Sequence, residues 1–126
     1  MKYLIFVLSL VIVPFTHALL PPVKASTSQE LLYMLVLQNA LKTELELSYA
    51  ALSNTPKTGK VEIYRQMKLC DLDALYNHQK EFYTVNKSFY KNDVKNLVSE
   101  INIEQAQNRE SILKDCKTLE KEYLSK

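Results

Sequence analysis

The chain has 126 residues, with 16 lysines and arginines against 14 acidic residues and a formal net charge of +2. A nearly neutral chain with interspersed signs offers no basic face for nucleic acid and no basic block for anionic lipid. One glycine, Gly59, and four prolines are too few for the frequent turns of a β-rich domain, so the composition favours long helices.

The first 18 residues are typical of a secretory signal peptide. Lys2 provides the positive start, and the apolar stretch YLIFVLSLVIV is too short to cross the ~30 Å hydrocarbon core of a membrane as a helix. Thr16 and Ala18 then stand at the small-residue positions of a cleavage site. We therefore expect cleavage after Ala18, rather than after Ala25 or retention as a stable membrane anchor. The mature protein is expected to be secreted or periplasmic.

Residues 19–26 contain consecutive prolines and are predicted to form an extended arm, while residues 27–126 form a single helical domain. Thr27 is predicted to cap the first helix, with Glu30 reaching back to the N–H of the cap. The second helix starts either at Pro56 or around Lys60. Apolar residues at 3–4 spacing predict an all-α, up-down-up bundle of three long antiparallel helices with coiled-coil-like seams. The predicted helices span about 27–53, 58–89 and 93–123.

The two cysteines are predicted to form one disulfide. An even count in an exported chain favours pairing, and neither the C-x-x-C spacing of a zinc site nor that of a thioredoxin-like site occurs. On a continuous helix His78 lies about 12 Å along the axis from Cys70, too far for a nucleophile and its base. Antiparallel pairing of the second and third helices instead brings Cys70 within about one turn of Cys116. No catalytic residues are assigned, and we expect a protein that is not an enzyme.

Each predicted helix carries polar residues in the middle of its apolar seam. A ligand or metal site inside the bundle is one interpretation, and a hydrogen-bonded layer that fixes helix register is the other. Amides are poor transition-metal ligands and only one imidazole is available, so the second interpretation is favoured, with no metal and no cofactor. The residues of this predicted buried polar layer are Gln38, His78, Gln105 and Asn108.

Two groups of residues are candidates for an interaction surface. The segment LLYMLVL, residues 31–37, places apolar side chains on every side of the start of the first helix. Either the N-terminal arm or a partner is therefore expected to cover some of them. The second helix carries a tyrosine at every seventh position, and these side chains either pack at the edge of the core or face a partner. The predicted interaction surface consists of Leu31, Leu32, Met34, Val36, Leu37, Tyr76, Tyr83 and Tyr90.

Asn86 begins the sequence NKS, which matches the acceptor pattern for N-glycosylation and falls in the predicted second turn. A glycan would be accessible there, in a eukaryotic source. The function expected from the whole sequence is that of a non-enzymatic binding module that contacts a protein partner or a second copy of itself. The alternative is a carrier of a small apolar ligand held between the helices.

Overall fold

A computed structural model describes residues 23–56 and 58–125 of the chain. The predicted signal peptide and residues 19–22 of the predicted arm lie outside the described residues. The described part is helical and contains no strand, which confirms the all-α class. Its helices are α1 (Ser28–Ser53), α2 (Gly59–Val85), α3 (Lys87–Tyr90), α4 (Val94–Glu110) and α5 (Cys116–Leu124), with a 3-10 turn at Lys91–Asp93 between α3 and α4.

The start of α1 follows from its capping residues. The Thr27 hydroxyl accepts a hydrogen bond from the Glu30 N–H at 3.2 Å, as the sequence predicts. The Glu30 carboxylate reaches back to the Ser26 N–H at 2.7 Å, one residue before the predicted target. Together these contacts satisfy donors at the helix entrance and fix where α1 begins.

Helix α2 lies in the middle of the packing and contacts α1, α4 and α5. It starts at Gly59 after Thr58, which favours the later of the two predicted starts. Cross-contacts between Tyr49 and Arg65 at one end, and between Ala25 and Asn86 at the other, show that α1 and α2 are antiparallel. The main apolar cluster joins three helices, with Leu41 and Leu45 from α1, Leu69, Leu72, Leu75 and Tyr76 from α2, and Ile101 from α4.

The prediction of one continuous helix over about 93–123 is wrong. Helix α4 ends at Glu110 and α5 begins at Cys116, with residues 111–115 between them. The Asp115 carboxylate caps α5 by accepting from the Thr118 N–H at 3.3 Å, which supplies a new helix start inside the predicted one. The predicted second turn between Asn86 and Asp93 contains α3 and the 3-10 turn, so α2 ends four residues earlier than expected.

The predicted disulfide is confirmed. Cys70 of α2 and Cys116 of α5 are bonded, with their Cα atoms 5.9 Å apart. The bond attaches the first residue of α5 to the middle of α2. Helix α5 then packs Leu119 and Tyr123 against Ile63 and Met67 near the start of α2.

Candidate functional site

The apolar segment at the start of α1 divides between the interior and the surface. Leu31 is buried with Ala25 and Phe82, and Met34 packs beside them. Leu32 and Val36, on the other side of the helix, are 62% and 57% exposed. The predicted interaction surface is therefore only partly available to a partner.

The tyrosines of the predicted surface belong mainly to the interior. Tyr76 lies in the main apolar cluster and is 6% exposed, so it does not form an exposed stripe. The Tyr83 and Tyr90 rings pack edge to face with centroids 4.9 Å apart, and both are partly buried. Burial raises the pKa of Tyr76 and that of Tyr90 to about 12. These aromatic residues consequently act first as packing groups.

The exposed apolar residues of α1 continue beyond the segment identified from the sequence. At about 100° per residue, one uncharged row follows the outer side of the whole helix within about 80° of arc. Every residue of this row is exposed. We call it the α1 stripe, and its members are Leu32, Val36, Asn39, Thr43, Leu47 and Ala50.

The predicted polar layer is not one layer. Gln105, which is 2% exposed, donates to Asn77 Oδ1 at 2.9 Å and accepts from the Lys80 ammonium at 2.7 Å. Asn108 donates to the Leu69 carbonyl at 2.9 Å. Both residues therefore form hydrogen bonds from α4 to α2, and neither is hydrogen-bonded to His78.

Gln38 and His78 are brought together at a different place, between α1 and α2. Both line a pocket of about 230 Å³. The Gln38 side-chain oxygen and both His78 ring nitrogens are buried and have no hydrogen-bond partner among the described residues. Such unsatisfied groups are uncommon in folded proteins and cost stability, so this pocket is distinct from the satisfied α2–α4 contact. The other lining residues are Val23, Tyr33, Met34, Leu37 and Phe82.

Asn86 is not accessible in the folded chain, contrary to the expectation of an exposed acceptor for a glycan. Its side chain is 0% exposed. The amide oxygen accepts from the Ala25 N–H at 2.6 Å, and the amide nitrogen donates to the carbonyls of Val23 and Phe82, each at 2.9 Å. The nitrogen that would carry a glycan is thus used to hold residues 23–25 against the end of α2.

Gln66 is a buried polar residue that sequence reasoning missed. It is 2% exposed, accepts from the Leu113 N–H at 2.7 Å and donates to the Ser111 carbonyl at 3.1 Å. These two bonds satisfy backbone groups of the connector between α4 and α5. A continuous third helix would have satisfied those groups itself, so only the break in the helix gives Gln66 this role.

Two features are absent from the described ranges, 23–56 and 58–125. In them no helix combines the length and apolar character needed to cross a membrane. The same ranges contain no group of three or more His, Cys, Asp and Glu side chains placed to hold a metal ion.

Comparisons with protein-family models, with curated proteins and with solved structures find no match for this chain.

Proposed function

We propose that this protein is an exported, non-enzymatic helical bundle that binds another protein chain through the α1 stripe. The observation that carries the proposal is the exposure of Leu32, Val36 and Leu47, at 62%, 57% and 60%, along one side of a 26-residue helix. Large apolar residues aligned along one face are typical of contact surfaces, whereas isolated ones are common on any protein.

The spacing of the stripe indicates the kind of partner. Its apolar members form two pairs, Leu32 with Val36 and Leu47 with Ala50, at the spacings of four and three residues by which one helix packs along another, and the uncharged Asn39 and Thr43 lie between them. The opposite side of α1 is occupied by its own core, because Leu41 and Leu45 are almost completely buried against α2. No described residue outside α1 buries the stripe, so a helix from a second copy of this chain or from a different protein can pack along it.

Export is part of the proposal and is supported by two independent features. The Cys70–Cys116 disulfide is the kind of bond that persists in an oxidising compartment. The N-terminal sequence has the order of a signal peptide, with Lys2, an apolar stretch and small residues up to Ala18. N-terminal sequencing of protein collected outside the cytoplasm should begin at Leu19, and a sequence beginning at Met1 would contradict the proposed cleavage.

The stripe is tested by comparing Val36→Glu with Ile103→Glu. Ile103 lies on α4 and is 59% exposed, so the control places the same charge at an equally exposed apolar position outside α1. Light scattering after size exclusion, at rising protein concentration, measures self-association. In parallel, a photocrosslinking side chain at position 36 or 103 is irradiated in the medium of the producing cells, and adducts are identified by mass.

Two outcomes support the proposal. One is a dimer that Val36→Glu disrupts and Ile103→Glu retains, and the other is a defined protein adduct formed from position 36 and not from position 103. A chain that stays monomeric at every concentration and gives no adduct specific to position 36 would contradict it. Equal loss of association in both glutamate variants would show that the α1 stripe is not the contact surface.

A further inference from the structure

We propose that the pocket between α1 and α2 is a binding site for a small, neutral and wholly apolar molecule. This site is separate from the α1 stripe and goes beyond the binding function proposed for that stripe. Among the described residues, three segments form it: Val23 from the residues before α1, Met34 and Leu37 from α1, and Phe82 from α2. Tyr33, Gln38 and His78 complete the lining.

The size of the pocket limits the ligand to a small molecule. Its volume is about 230 Å³. An apolar cavity of about 150 Å³ in another protein stays free of water and binds benzene, so the present volume corresponds to a substituted benzene or a hydrocarbon of similar size. Phe82, 1% exposed, packs in the apolar cluster with Ala25 and Leu31, so that side of the pocket rests on the core.

The chemistry of the wall selects an uncharged ligand. None of the seven described residues that line the pocket is a lysine, an arginine, an aspartate or a glutamate, so a carboxylate or an ammonium group would be desolvated without a counter-charge. A charged group placed inside the pocket is therefore unfavourable.

Three polar side-chain atoms near the pocket are not accessible from its interior. The Gln38 side-chain oxygen and the two His78 nitrogens have almost no accessible surface, because neighbouring atoms cover them. A ligand therefore meets mainly carbon atoms at the wall. A hydroxyl group placed against this wall finds few polar atoms to replace its hydrogen bonds to water, which weakens its binding relative to a methyl group.

The pocket wall is formed mainly by carbon atoms, so the contacts it offers are dispersion contacts. A molecule that fills the pocket gains dispersion contacts with Met34, Leu37 and Phe82, which the empty cavity lacks.

The test uses three probes of nearly equal shape: n-butylbenzene, 3-phenyl-1-propanol and 3-phenylpropanoate. They differ in whether the chain ends in a methyl, a hydroxyl or a carboxylate. Binding is followed in the full chain by the NMR signal of the Met34 methyl group, which lies in the pocket lining. The Met67 methyl group is an internal control, because it packs with Ile63 and Leu119 between α2 and α5.

We expect n-butylbenzene to give a saturable shift of the Met34 signal that leaves the Met67 signal unchanged. The alcohol should bind at least tenfold more weakly, and the carboxylate should give no shift. No Met34 shift up to the solubility limit of n-butylbenzene would overturn the proposal, as would an alcohol or a carboxylate that binds as tightly as the hydrocarbon. Equal shifts at both methionines would show unspecific adsorption and would overturn it as well.

Variants locate the site. Val23→Trp places a large ring at the rim of the pocket, at a residue that is 43% exposed, and should weaken n-butylbenzene binding at least tenfold. Ile103→Trp adds the same ring on α4 and should leave the affinity unchanged. His78→Leu should retain or improve binding, because the ligand does not use the imidazole nitrogens; loss of binding in a folded His78→Leu variant would overturn the apolar assignment.

The two proposals fail separately. Val36→Glu is expected to disrupt the protein contact and to keep n-butylbenzene binding, since Val36 does not line the pocket. Val23→Trp is expected to do the reverse. A single variant that removed both activities without unfolding would show that the stripe and the pocket are one site, which contradicts the separate ligand site.

Discussion

Replacing Asn86 with alanine should release the residues that precede α1 from the end of α2. The Asn86 side chain is 0% exposed and makes three hydrogen bonds, two of which cross more than 60 positions of sequence to Val23 and Ala25. Its third partner, the Phe82 carbonyl, also accepts from the Asn86 backbone N–H at 3.1 Å, so that group stays satisfied in the variant.

The expected cost follows from the two long-range bonds. Each contributes about 1 kcal/mol net, and a buried partner left without a bond costs about 1–3 kcal/mol. Ala25 is 4% exposed, so its N–H is not readily hydrated in place. Asn86→Ala should therefore lower the free energy of unfolding by about 2–4 kcal/mol, or by less if residues 23–25 detach and their groups reach water.

Two measurements separate those cases. Urea unfolding gives the global free energy, and hydrogen exchange at the Ala25 amide reports whether the N-terminal residues stay docked. Asn92→Ala, at an exposed position in the 3-10 turn, is the matched control and should change the stability by less than about 0.5 kcal/mol. A variant with unchanged stability and a protected Ala25 amide would refute the role assigned to Asn86.

Asn86→Asp refines the same test, because aspartate keeps the shape of asparagine and a carbonyl-like acceptor for the Ala25 N–H. The pKa of the new carboxyl should lie above its ordinary value, because it would be buried and the oxygen that replaces the amide nitrogen would face the carbonyls of Val23 and Phe82. The stability of this variant should be present at low pH, where the carboxyl is protonated, and be lost as pH rises through its folded-state pKa. A variant no less stable at pH 7 than at pH 4, relative to the unmodified chain, would contradict this environment.

Three further predictions concern other parts of the fold. Replacing both Cys70 and Cys116 with alanine should lower stability by about 2–4 kcal/mol, and exchange should show α5 opening first; protection of α5 equal to that of α2 would argue against this. Gln66→Leu should cost about 1–3 kcal/mol and expose the Leu113 amide to exchange, whereas an unchanged urea midpoint would contradict its role in the connector. The contributions of Tyr76 and Tyr90 to stability should be present up to about pH 10 and be lost between pH 10 and 12, because their folded-state pKa values are raised from 10.0 to about 12. At pH 11 the titration of Tyr76 accounts for about 1.4 kcal/mol of this loss. Between pH 9 and pH 11 the free energy of unfolding, measured with urea, should therefore fall by correspondingly less in Tyr76→Phe than in the unmodified chain. An equal fall in both proteins would contradict the prediction.

The helical class and the disulfide could be predicted because both depend on features that are local or that follow from simple geometry. A chain with one glycine and few prolines has few places to turn, and the Thr27 cap marks a helix start without any tertiary contact. Once two helices are joined by a short turn, antiparallel pairing fixes which residues of one helix lie opposite which residues of the other. That register brought Cys70 within about one turn of Cys116, and the even number of cysteines in an exported chain favoured their pairing.

The candidate sites could not be assigned in the same way, because periodicity describes one helix and not its neighbours. Tyr76 and Leu32 were both predicted to lie on the interaction surface. In the structure α2 is covered by α1, α4 and α5, whereas α1 is covered mainly by α2. The first residue is therefore buried and the second is 62% exposed. Exposure depends on the number of neighbours that a helix has, which its own sequence pattern does not contain.

The sequence by itself determined the all-helical class, the start of the first helix and which cysteines pair, since capping and a constant rise per residue act within short distances along the chain. Only the tertiary structure decided the break after Glu110, the burial of Asn86 and the meeting of Gln38 with His78. The first two depend on hydrogen bonds between groups far apart in sequence: Gln66 reaches the Ser111 carbonyl and Asn86 reaches the Ala25 N–H. The third depends on how α1 packs against α2. A buried polar group must find a partner or bear the cost of lacking one, and which partners are within reach is set by the packing of whole helices.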